Sequence, residues 1–145
     1  MNVKIKKLNK NAIIPTYGSP YAAGADLYAC IDEACVIQPG QTILIKTGLA
    51  IELPIGYAAF IYARSGLASK RGLAPANKVG VVDCDYRGEI MVALHNHSLT
   101  EQVVEQGERI AQMVIAPYIT ADFEEVDQLS DTLRGTGGFG STGTK

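Results

Sequence analysis

The amino-acid sequence predicts an all-β fold, in which short strands pack as a sandwich, a barrel or a jelly roll. Three observations lead to this prediction. Apolar residues recur with the two-residue period of strands, in short runs bounded by Gly, Pro, Asn or Asp. Fifteen glycines and six prolines supply the turns that such a fold needs. A single stretch, residues 65–72, has the features of a helix.

The predicted elements follow one another closely along the chain. Val3, Ile5 and Leu8 begin the alternating pattern. Stronger strand patterns then cover residues 42–53 with a break at Gly48, and residues 57–63, 79–82, 90–94 and 109–115. In the helical stretch we place Ser65 at the N-cap and Gly72 just after the C-terminus, because these residue types are favoured there.

Length and composition predict one domain without a nucleic-acid partner. A chain of 145 residues fits one domain, and 47% apolar residues are enough to build a core. Thirteen basic and fifteen acidic residues give a net charge of -2, whereas proteins that bind duplex nucleic acid usually have a strongly basic surface. A small anion held by a few local cations is still compatible with this composition.

Cysteine spacing and hydropathy predict a cytoplasmic protein that does not enter a membrane. The cysteines at positions 30, 35 and 84 match neither a disulfide framework nor a zinc motif, so we expect buried thiols in a reducing compartment. Residues 1–11 are basic and alternating, unlike the apolar stretch of a signal peptide. No apolar run approaches the roughly 20 residues that a membrane-spanning helix needs.

Residues 130–145 differ in composition from the rest of the chain. Two large apolar side chains, Leu133 and Phe139, stand among Gly, Thr and Ser. Such a segment buries too little apolar surface to offset the entropy lost on ordering. It is either a disordered tail or an arm that orders over a ligand, and an arm would explain the isolated Phe139. We therefore expect a β domain over residues 1–129 and a mobile arm over residues 130–145.

Residues 63–68 have the features of a phosphate-binding site. A strand pattern ends in Arg64, and the short helix begins at Ser65. A helix N-terminus offers free N–H groups and a partial positive charge, and an arginine offers paired donors for phosphate oxygens. Taken alone, Ser65 is more simply explained as an ordinary N-cap.

Residues 77–91 contain two apolar runs around a turn of Asp, Tyr, Arg and Gly, which predicts a β-hairpin. The exposed backbone of such a hairpin could pair with the edge of a nucleobase. Asp83 ends the first run, where partial desolvation would favour a general base. By residue type alone, an aspartate that only forms the turn is the favoured interpretation.

Several other polar residues are ambiguous. Arg109 and Gln112 could each reach a phosphate, but strand alternation places them on opposite faces, so we expect one of them to be structural. Asp26 is a lone acid among small residues. His95 and His97 share one face of a strand end, and two histidines without a third ligand do not form a metal site.

Taken together and in order, these segments resemble the five sequence motifs of the trimeric dUTPases. They are Ala-Gly-Ala-Asp-Leu at 23–27, Arg-Ser-Gly-Leu-Ala at 64–68, Gly-Val-Val-Asp-Cys-Asp-Tyr-Arg-Gly-Glu at 80–89, Gly-Glu-Arg-Ile-Ala-Gln at 107–112 and Arg-Gly-Thr-Gly-Gly-Phe-Gly-Ser-Thr-Gly at 134–143. The resemblance extends over nearly the whole chain. Five motifs in series are far more specific than any one of them.

This resemblance implies a jelly-roll-like β-sandwich, the β-clip of dUTPases, assembled as a homotrimer whose active sites are shared between subunits. It implies an enzyme that hydrolyses dUTP to dUMP and pyrophosphate, with Mg²⁺ bound to the triphosphate. Such an activity limits the incorporation of uracil into DNA and supplies dUMP for thymidylate synthesis. The C-terminal arm is implied to close over the active site.

The resemblance also implies roles for individual residues. Asp83 matches the aspartate that activates water to attack the α-phosphate, and Tyr86 matches the aromatic residue under the deoxyribose. Asp26 matches an aspartate near the water shell of the metal. The other matches are uracil contacts at Asn77, Gly80, Val81, Val82 and Met91, phosphate contacts at Arg64, Ser65, Gly66 and Gln112, and arm contacts at Arg134, Phe139, Gly140, Ser141 and Thr142.

The sequence differs from the family pattern at two positions, and two other functions are compatible with parts of it. Ala63 precedes Arg64 where proline is common in the family, and Cys84 lies between the two aspartates of its motif. One rival is a dCTP deaminase, which needs a glutamate at the base, and residues 77–83 contain none. The other rival is a nucleotide sensor without catalysis, which the presence of Asp83 and Phe139 disfavours.

Overall fold

The computed structural model describes residues 1–138, which form twelve strands and one short helix. The strands are β1 Lys4–Lys7, β2 Thr16–Tyr17, β3 Ala25–Tyr28, β4 Cys35–Ile37, β5 Thr42–Lys46, β6 Leu49–Glu52, β7 Tyr57–Tyr62, β8 Leu73–Pro75, β9 Gly80–Val82, β10 Met91–Asn96, β11 Gln102–Val104 and β12 Arg109–Pro117, and helix α1 is Ser65–Arg71. The all-β prediction is confirmed. Each predicted strand segment overlaps an observed strand, and the break at Gly48 separates β5 from β6.

The strands pair antiparallel in four sheets. The largest has the order β2-β3-β12-β7-β9, and a three-stranded sheet has the order β5-β10-β8. Strands β1 and β6 form one two-stranded sheet, and β4 and β11 form another. Strand β9 is the outer strand of the largest sheet, so one edge of its backbone lies outside the pairing with β7.

The sheets enclose one main hydrophobic core. Its most deeply buried side chains come from both larger sheets and include Leu27, Ile45, Val92, Leu94 and Ile110. Along β10, buried positions alternate with more exposed ones, as expected for a strand with one face on the core. Full burial of an aliphatic side chain contributes about 1.5–3 kcal/mol, so this core dominates the stability of the sandwich.

Helix α1 begins differently from the prediction. Arg64 is the N-cap residue, with extended backbone angles of φ -85° and ψ 130°, and Ser65 is the first helical residue. The N-cap prediction for Ser65 is therefore wrong, because the Ala68 N–H closes the first turn on the Arg64 carbonyl. The prediction for Gly72 is confirmed, since its φ of 66° ends the helix. Within residues 1–138, no helix is long and apolar enough to cross a membrane.

The predicted hairpin within residues 77–91 does not form. Strand β9 pairs with β7 in the largest sheet, whereas β10 pairs with β5 and β8 in the three-stranded sheet. The connection over residues 83–90 is too long for a tight turn. Buried Ile90 holds the end of this connection against the turn between β5 and β6. Its N–H donates to the Leu49 carbonyl, and its carbonyl accepts from the Thr47 hydroxyl. A cleft opens between the two sheets as a result.

The chain beyond β12 contributes little to the core. Tyr118 still contacts the sandwich, since its N–H donates to the Gly56 carbonyl at 3.0 Å. Ile119 and Phe123 are 94% and 98% exposed, and no strand or helix forms between residues 118 and 138. This segment therefore carries large apolar side chains that its own sandwich leaves uncovered.

Candidate active site

One group of the candidate residues lines a cleft between the two larger sheets. This apolar cleft has a volume of about 270 Å³. The apolar side chains of Ile61, Ile90 and Val92 form part of its wall. It brings together the positions within the sandwich that the resemblance assigns to uracil, the sugar and the attacking water: Asn77, Gly80, Val81, Val82, Asp83, Tyr86 and Met91.

A tight turn sets the position of Asn77 at this cleft. Lys78, next in the chain, has a φ of 64°, and within residues 1–138 the other residues with positive φ are glycines. The Lys78 N–H donates to the Pro75 carbonyl at 3.1 Å, which closes the turn. A Cβ on Gly80 would lie 3.2 Å from both Asn77 Nδ2 and Ile61 Cβ. Glycine at position 80 thus lets the Asn77 amide approach strand β9.

Asp83 follows the last residue of β9 and is exposed to solvent. The Tyr86 N–H donates to its carbonyl at 3.2 Å, so Asp83 begins a turn. The Arg87 guanidinium donates to the Cys84 and Tyr86 carbonyls at 2.7 and 3.0 Å and stiffens this turn. The prediction that Asp83 is partly desolvated is wrong for a single chain, because its loop protrudes where the chain crosses between sheets.

Cys84, where the sequence departs from the expected pattern, contacts the end of the longest strand. Its Sγ lies 3.6 Å from the Tyr118 hydroxyl. That hydrogen bond raises the pKa of the Tyr118 phenol, and the nearby Cys84, Asp83 and Asp85 side chains raise it further. The contact between Cys84 and Tyr118 ties the loop after β9 to the residue after β12.

The second group of candidate residues lines a separate pocket with a volume of about 230 Å³. This cationic pocket lies where β3, β12 and the start of α1 meet. Two arginines contribute its charge. It brings together every position that the sequence assigns to phosphate or to the metal shell within the sandwich: Asp26, Arg64, Ser65, Gly66 and Gln112, joined by Gly18, Ala22, Gly24 and Arg109.

The Asp26 carboxylate holds the two arginines of the cationic pocket in place. Its Oδ1 accepts from Arg64 Nε at 2.7 Å, and its Oδ2 accepts from Arg109 Nη1 at 3.2 Å. The Asp26 side chain is 12% exposed, so an unpaired carboxylate here would be costly. Pairing with two guanidiniums offsets that cost and fixes the orientation of both cations.

Gln112 reaches this pocket because Gly24 leaves room for it. The Gln112 Nε2 donates to the Ala63 carbonyl at 2.8 Å, just before the start of α1. A Cβ on Gly24 would lie 2.5 Å from Gln112 Oε1, far inside van der Waals contact. Glycine at position 24 is therefore required by the close approach of this amide.

Arg109 is the site residue that sequence reasoning missed. Arg109 and Gln112 both line the cationic pocket, so the prediction that they lie on opposite faces is wrong. The pairing of β12 with β3 shifts register between Arg109 and Ala111, and this bulge turns Arg109 to the same side as Gln112. In the sequence, the turn at Gly107, two residues before the strand begins, is the one hint of such an irregularity.

Of the C-terminal candidates, Arg134 is the one that lies within the described residues. Arg134 Nε donates to the Gly137 carbonyl at 2.8 Å within its own segment, and Arg134 lines neither pocket. Phe139, Gly140, Ser141 and Thr142 lie outside the described residues.

The two pockets have no lining residue in common. Within residues 1–138, no three His, Cys, Asp or Glu side chains cluster closely enough to hold a metal ion. One chain thus presents an apolar cleft and a cationic pocket as two separate surfaces.

Comparison with known proteins identifies the family. A family model described as dUTPase matches residues 10–143. The deoxyuridine 5′-triphosphate nucleotidohydrolase of Desulfitobacterium hafniense (strain DSM 10664 / DCB-2) is 55% identical over 146 residues, which cover 99% of this chain and 97% of that protein. The enzyme of the same name from Hydrogenobaculum sp. (strain Y04AAS1) is 50% identical over 145 residues, covering all of both chains.

A solved structure agrees with these relatives. The dUTPase of Staphylococcus bacteriophage 80alpha, a G164S mutant with dUpNHpp, superposes with a TM-score of 0.89 at 29% identity and covers 98% of each chain. The prediction of a jelly-roll-like β-sandwich is thereby confirmed. The family model and the full-length relatives show that this chain belongs to the dUTPase family, the deoxyuridine 5′-triphosphate nucleotidohydrolases.

Proposed function

We propose that this dUTP nucleotidohydrolase cleaves dUTP between the α- and β-phosphates, with Asp83 activating the attacking water and Mg²⁺ carried on the triphosphate. The observation that carries the proposal is the division of the surface into a cationic pocket and an apolar cleft. Together they match the two chemically different halves of a nucleotide. The reaction lowers dUTP, which limits uracil in DNA, and supplies dUMP for thymidylate synthesis.

The cationic pocket is suited to the triphosphate. Each guanidinium has five N–H donors, so Arg64 and Arg109 can contact Asp26 and still donate to phosphate oxygens. Ser65 and Gly66 begin α1, where N–H groups without helical partners favour an anion. Gln112 adds an amide from β12. These local groups neutralise phosphate charge although the chain carries a net charge of -2.

Uracil fits the apolar cleft through backbone recognition. Val81 lies in the edge strand β9, and the edge not paired with β7 offers main-chain N–H and C=O groups. Asn77 and Gly80 lie at the same end, with Val82 and Met91 as apolar walls. Uracil presents acceptor, donor and acceptor along its pairing edge, so fixed backbone partners would reject cytosine by leaving buried groups unpaired.

Sugar recognition and chemistry follow from the loop after β9. Tyr86 packs against the deoxyribose and leaves no space for a 2′-hydroxyl. Asp83 orients a water molecule and accepts its proton as the water attacks the α-phosphate. Pyrophosphate then leaves with its charge neutralised by the arginines. The surroundings that desolvate Asp83 come from a second subunit and from the arm, because Asp83 is exposed in one chain.

Magnesium is expected to arrive with the substrate. No group of three metal-binding side chains lies within residues 1–138, which fits an ion held by phosphate oxygens and water rather than by a protein cage. Asp26 would touch this ion only through water, since its carboxylate oxygens already accept from two arginines. When bound, the ion neutralises triphosphate charge and orients the phosphates.

A homotrimer with shared sites accounts for the two separate surfaces. The cationic pocket of one subunit would face the apolar cleft of the next, so that one nucleotide contacts both. The arm of residues 130–145 would then close over the nucleotide. Arg134 would meet the γ-phosphate, Phe139 would cover uracil, and Gly140, Ser141 and Thr142 would donate to phosphates.

Pyrophosphate release from dUTP, UTP, dTTP and dCTP, each with and without Mg²⁺, tests this function. We expect fast release from dUTP with Mg²⁺ and little from the others. Asp83→Asn should retain dUTP binding and lose about 10²–10⁴ in kcat, the usual contribution of a general base. Full turnover by the Asn variant would contradict the role of Asp83.

A parallel assay for ammonia from dCTP addresses the deaminase alternative. Glu89 lines the apolar cleft, so a glutamate is present there even though residues 77–83 have none. Its Oε1 accepts from the Gly48 N–H at 2.8 Å, which engages it in the protein scaffold. We therefore expect no ammonia, and ammonia release would favour a deaminase.

A further inference from the structure

We propose that Glu89 is a positioning residue that fixes the Tyr86 ring and thereby sets the preference for deoxyribose over ribose. The inference rests on the proposed function, because it assumes that Tyr86 packs against the sugar. The main-chain carbonyl of Glu89 accepts from the Tyr86 hydroxyl, and its side-chain carboxylate accepts from the buried turn at Gly48. It connects the sugar-binding ring to the rigid part of the sandwich.

The outer contact restrains the ring of Tyr86. The Tyr86 hydroxyl donates to the Glu89 main-chain carbonyl at 3.0 Å. Tyr86 is 43% exposed, so packing alone does not determine where its ring lies. A Cβ on Gly88 would overlap the phenol, which shows that the ring occupies the space of the missing side chain. The ring is thus folded back over its own loop and is held there by residue 89.

The inner contact anchors Glu89 to a buried and closely packed turn. Glu89 Oε1 accepts from the Gly48 N–H at 2.8 Å. Gly48 is buried with a φ of 68°, and a Cβ there would lie 2.8 Å from Ala12 Cβ and 2.9 Å from Cys30 Sγ. A buried N–H without an acceptor is costly, so the carboxylate is held firmly. Burial raises the pKa of the Cys30 thiol, and the Glu89 carboxylate raises it further.

Neighbouring bonds restrict the freedom of this connection further. The Thr47 hydroxyl donates to the Ile90 carbonyl at 2.6 Å, and the Ile90 N–H donates to the Leu49 carbonyl at 2.8 Å. Residue 90 is therefore fixed against the same turn. The Glu89 carbonyl and the Ile90 N–H belong to one planar peptide unit, so the Ile90 bond restrains this unit on one side and the Glu89 carboxylate restrains residue 89 on the other. Loss of the carboxylate would leave the unit restrained on one side, and the carbonyl could tilt and the ring follow it.

The test compares the ratio of kcat/KM for dUTP to kcat/KM for UTP in Glu89→Ala and Glu89→Gln. Glutamine keeps an oxygen acceptor for the Gly48 N–H, so Glu89→Gln should retain the wild-type ratio within about twofold. Glu89→Ala should lower the ratio by about fivefold or more, which is the effect of one lost hydrogen bond. A merely structural role would reduce activity on both nucleotides equally. An unchanged ratio in Glu89→Ala would overturn the proposal.

Tyr86→Phe provides a second variant that does not threaten folding, because it removes only a partly exposed hydroxyl. It should lower the same ratio, and adding Glu89→Ala to it should cause little further change, since both act through one contact. A wild-type ratio in Tyr86→Phe would overturn the proposal even if Glu89→Ala failed to fold. If the unmodified enzyme used dUTP and UTP equally, the sugar role of Tyr86 would fall, and this inference with it. If the unmodified enzyme prefers dUTP and every variant keeps the wild-type ratio, the positioning role of Glu89 is wrong and the proposed function stands.

Discussion

Asp26, Arg64 and Arg109 form a unit in which one carboxylate holds two like charges together. Without Asp26 the guanidiniums would repel each other and lose their shared orientation. With it, both remain close enough to line the same pocket. A triphosphate bound as we propose would therefore meet an arrangement of donors that is already formed, and little ordering would be needed on binding.

Gly24→Ala should damage the cationic pocket through sterics alone. The new Cβ would lie 2.5 Å from Gln112 Oε1 and displace an amide that donates to the Ala63 carbonyl. We expect KM for dUTP to rise by about tenfold and the free energy of unfolding to fall by about 1–2 kcal/mol. Steady-state kinetics and urea unfolding measure both.

Gly18→Ala is the matched control for that change. Gly18 lines the same pocket, and a Cβ there meets no atom within 4 Å among the described residues. Its KM and stability should stay near the unmodified values. Equal effects of the two substitutions would show that close packing of Gln112 against Gly24 is not what matters.

Residue types alone did not assign the candidate site, since Asp83 is more simply explained as a turn residue and Ser65 as an ordinary N-cap. The order of the motifs assigned these positions through the resemblance, and the structure brings those within the sandwich together in two pockets. Arg109 could not be assigned, because its direction depends on a register shift in the pairing of β12 with β3. The exposure of Asp83 also follows from the path of its loop and not from its neighbours in sequence.

At the scale of elements, the cationic pocket depends on how α1 is anchored. Arg71 in the last turn of α1 donates to Gln102 Oε1 at 3.0 Å, to Glu108 Oε1 and to the Val103 carbonyl. The other end of the helix carries Ser65 and Gly66 into the pocket. Fixing the C-terminal end of a seven-residue helix therefore also fixes the end that lines the cationic pocket.

Arg71→Met should destabilise the sandwich by about 1–3 kcal/mol, because it leaves Glu108 Oε1 and the Val103 carbonyl without the guanidinium donor, while Glu108 Oε2 keeps the Glu105 N–H. The adjacent Lys70→Met is the control, since Lys70 is exposed and also lies in the last turn. It should change stability by less than about 0.5 kcal/mol. Chemical unfolding measures the free energy of unfolding of both variants. Similar losses would mean that helix charge, and not the anchor, stabilises this end.

Strands with strong patterns were predictable, whereas their pairing was not. Gly48 and the β-branched runs around it correctly divided residues 42–53 into two strands. The three-residue strands β4, β8 and β11 are too short to produce a period. The hairpin prediction failed because the anchoring of Ile90 to the turn after β5 is a long-range contact that no local pattern encodes.

At the scale of the whole molecule, exposed apolar side chains follow the last strand. Ile119, Phe123 and Leu129 are each more than 85% exposed, at 94%, 98% and 86%. Exposed apolar side chains do not stabilise a monomer. The segment and the two separate pockets are consistent with one assembly in which subunits complete each other. Neither feature was visible in the sequence pattern, because exposure depends on the path of the chain.

Truncation after Thr132 tests whether the arm acts in catalysis rather than in stability. The hydrogen bonds of Arg134 and Gly135 stay within residues 132–137, so the melting temperature should stay within about 3 °C. The value of kcat/KM for dUTP should fall by at least about tenfold, because the nucleotide is no longer covered. Removal of residues 144–145 alone, beyond the fifth motif, is the control. A truncated enzyme at full rate, or one that unfolds readily, would contradict this role.

Complementation between two inactive variants tests most directly whether a site combines the cationic pocket of one chain with the apolar cleft of another. Arg64→Ala impairs the cationic pocket, and Asp83→Asn impairs the apolar cleft. The two variants carry different tags, are co-expressed, and are purified through both tags. In trimers that contain both variants, dUTP hydrolysis should be restored to about a third of the unmodified rate, since one site in three then has both halves intact. The chain that carries both substitutions should remain inactive. A mixture no more active than the average of its two components would show that each site lies within a single chain and would contradict the account.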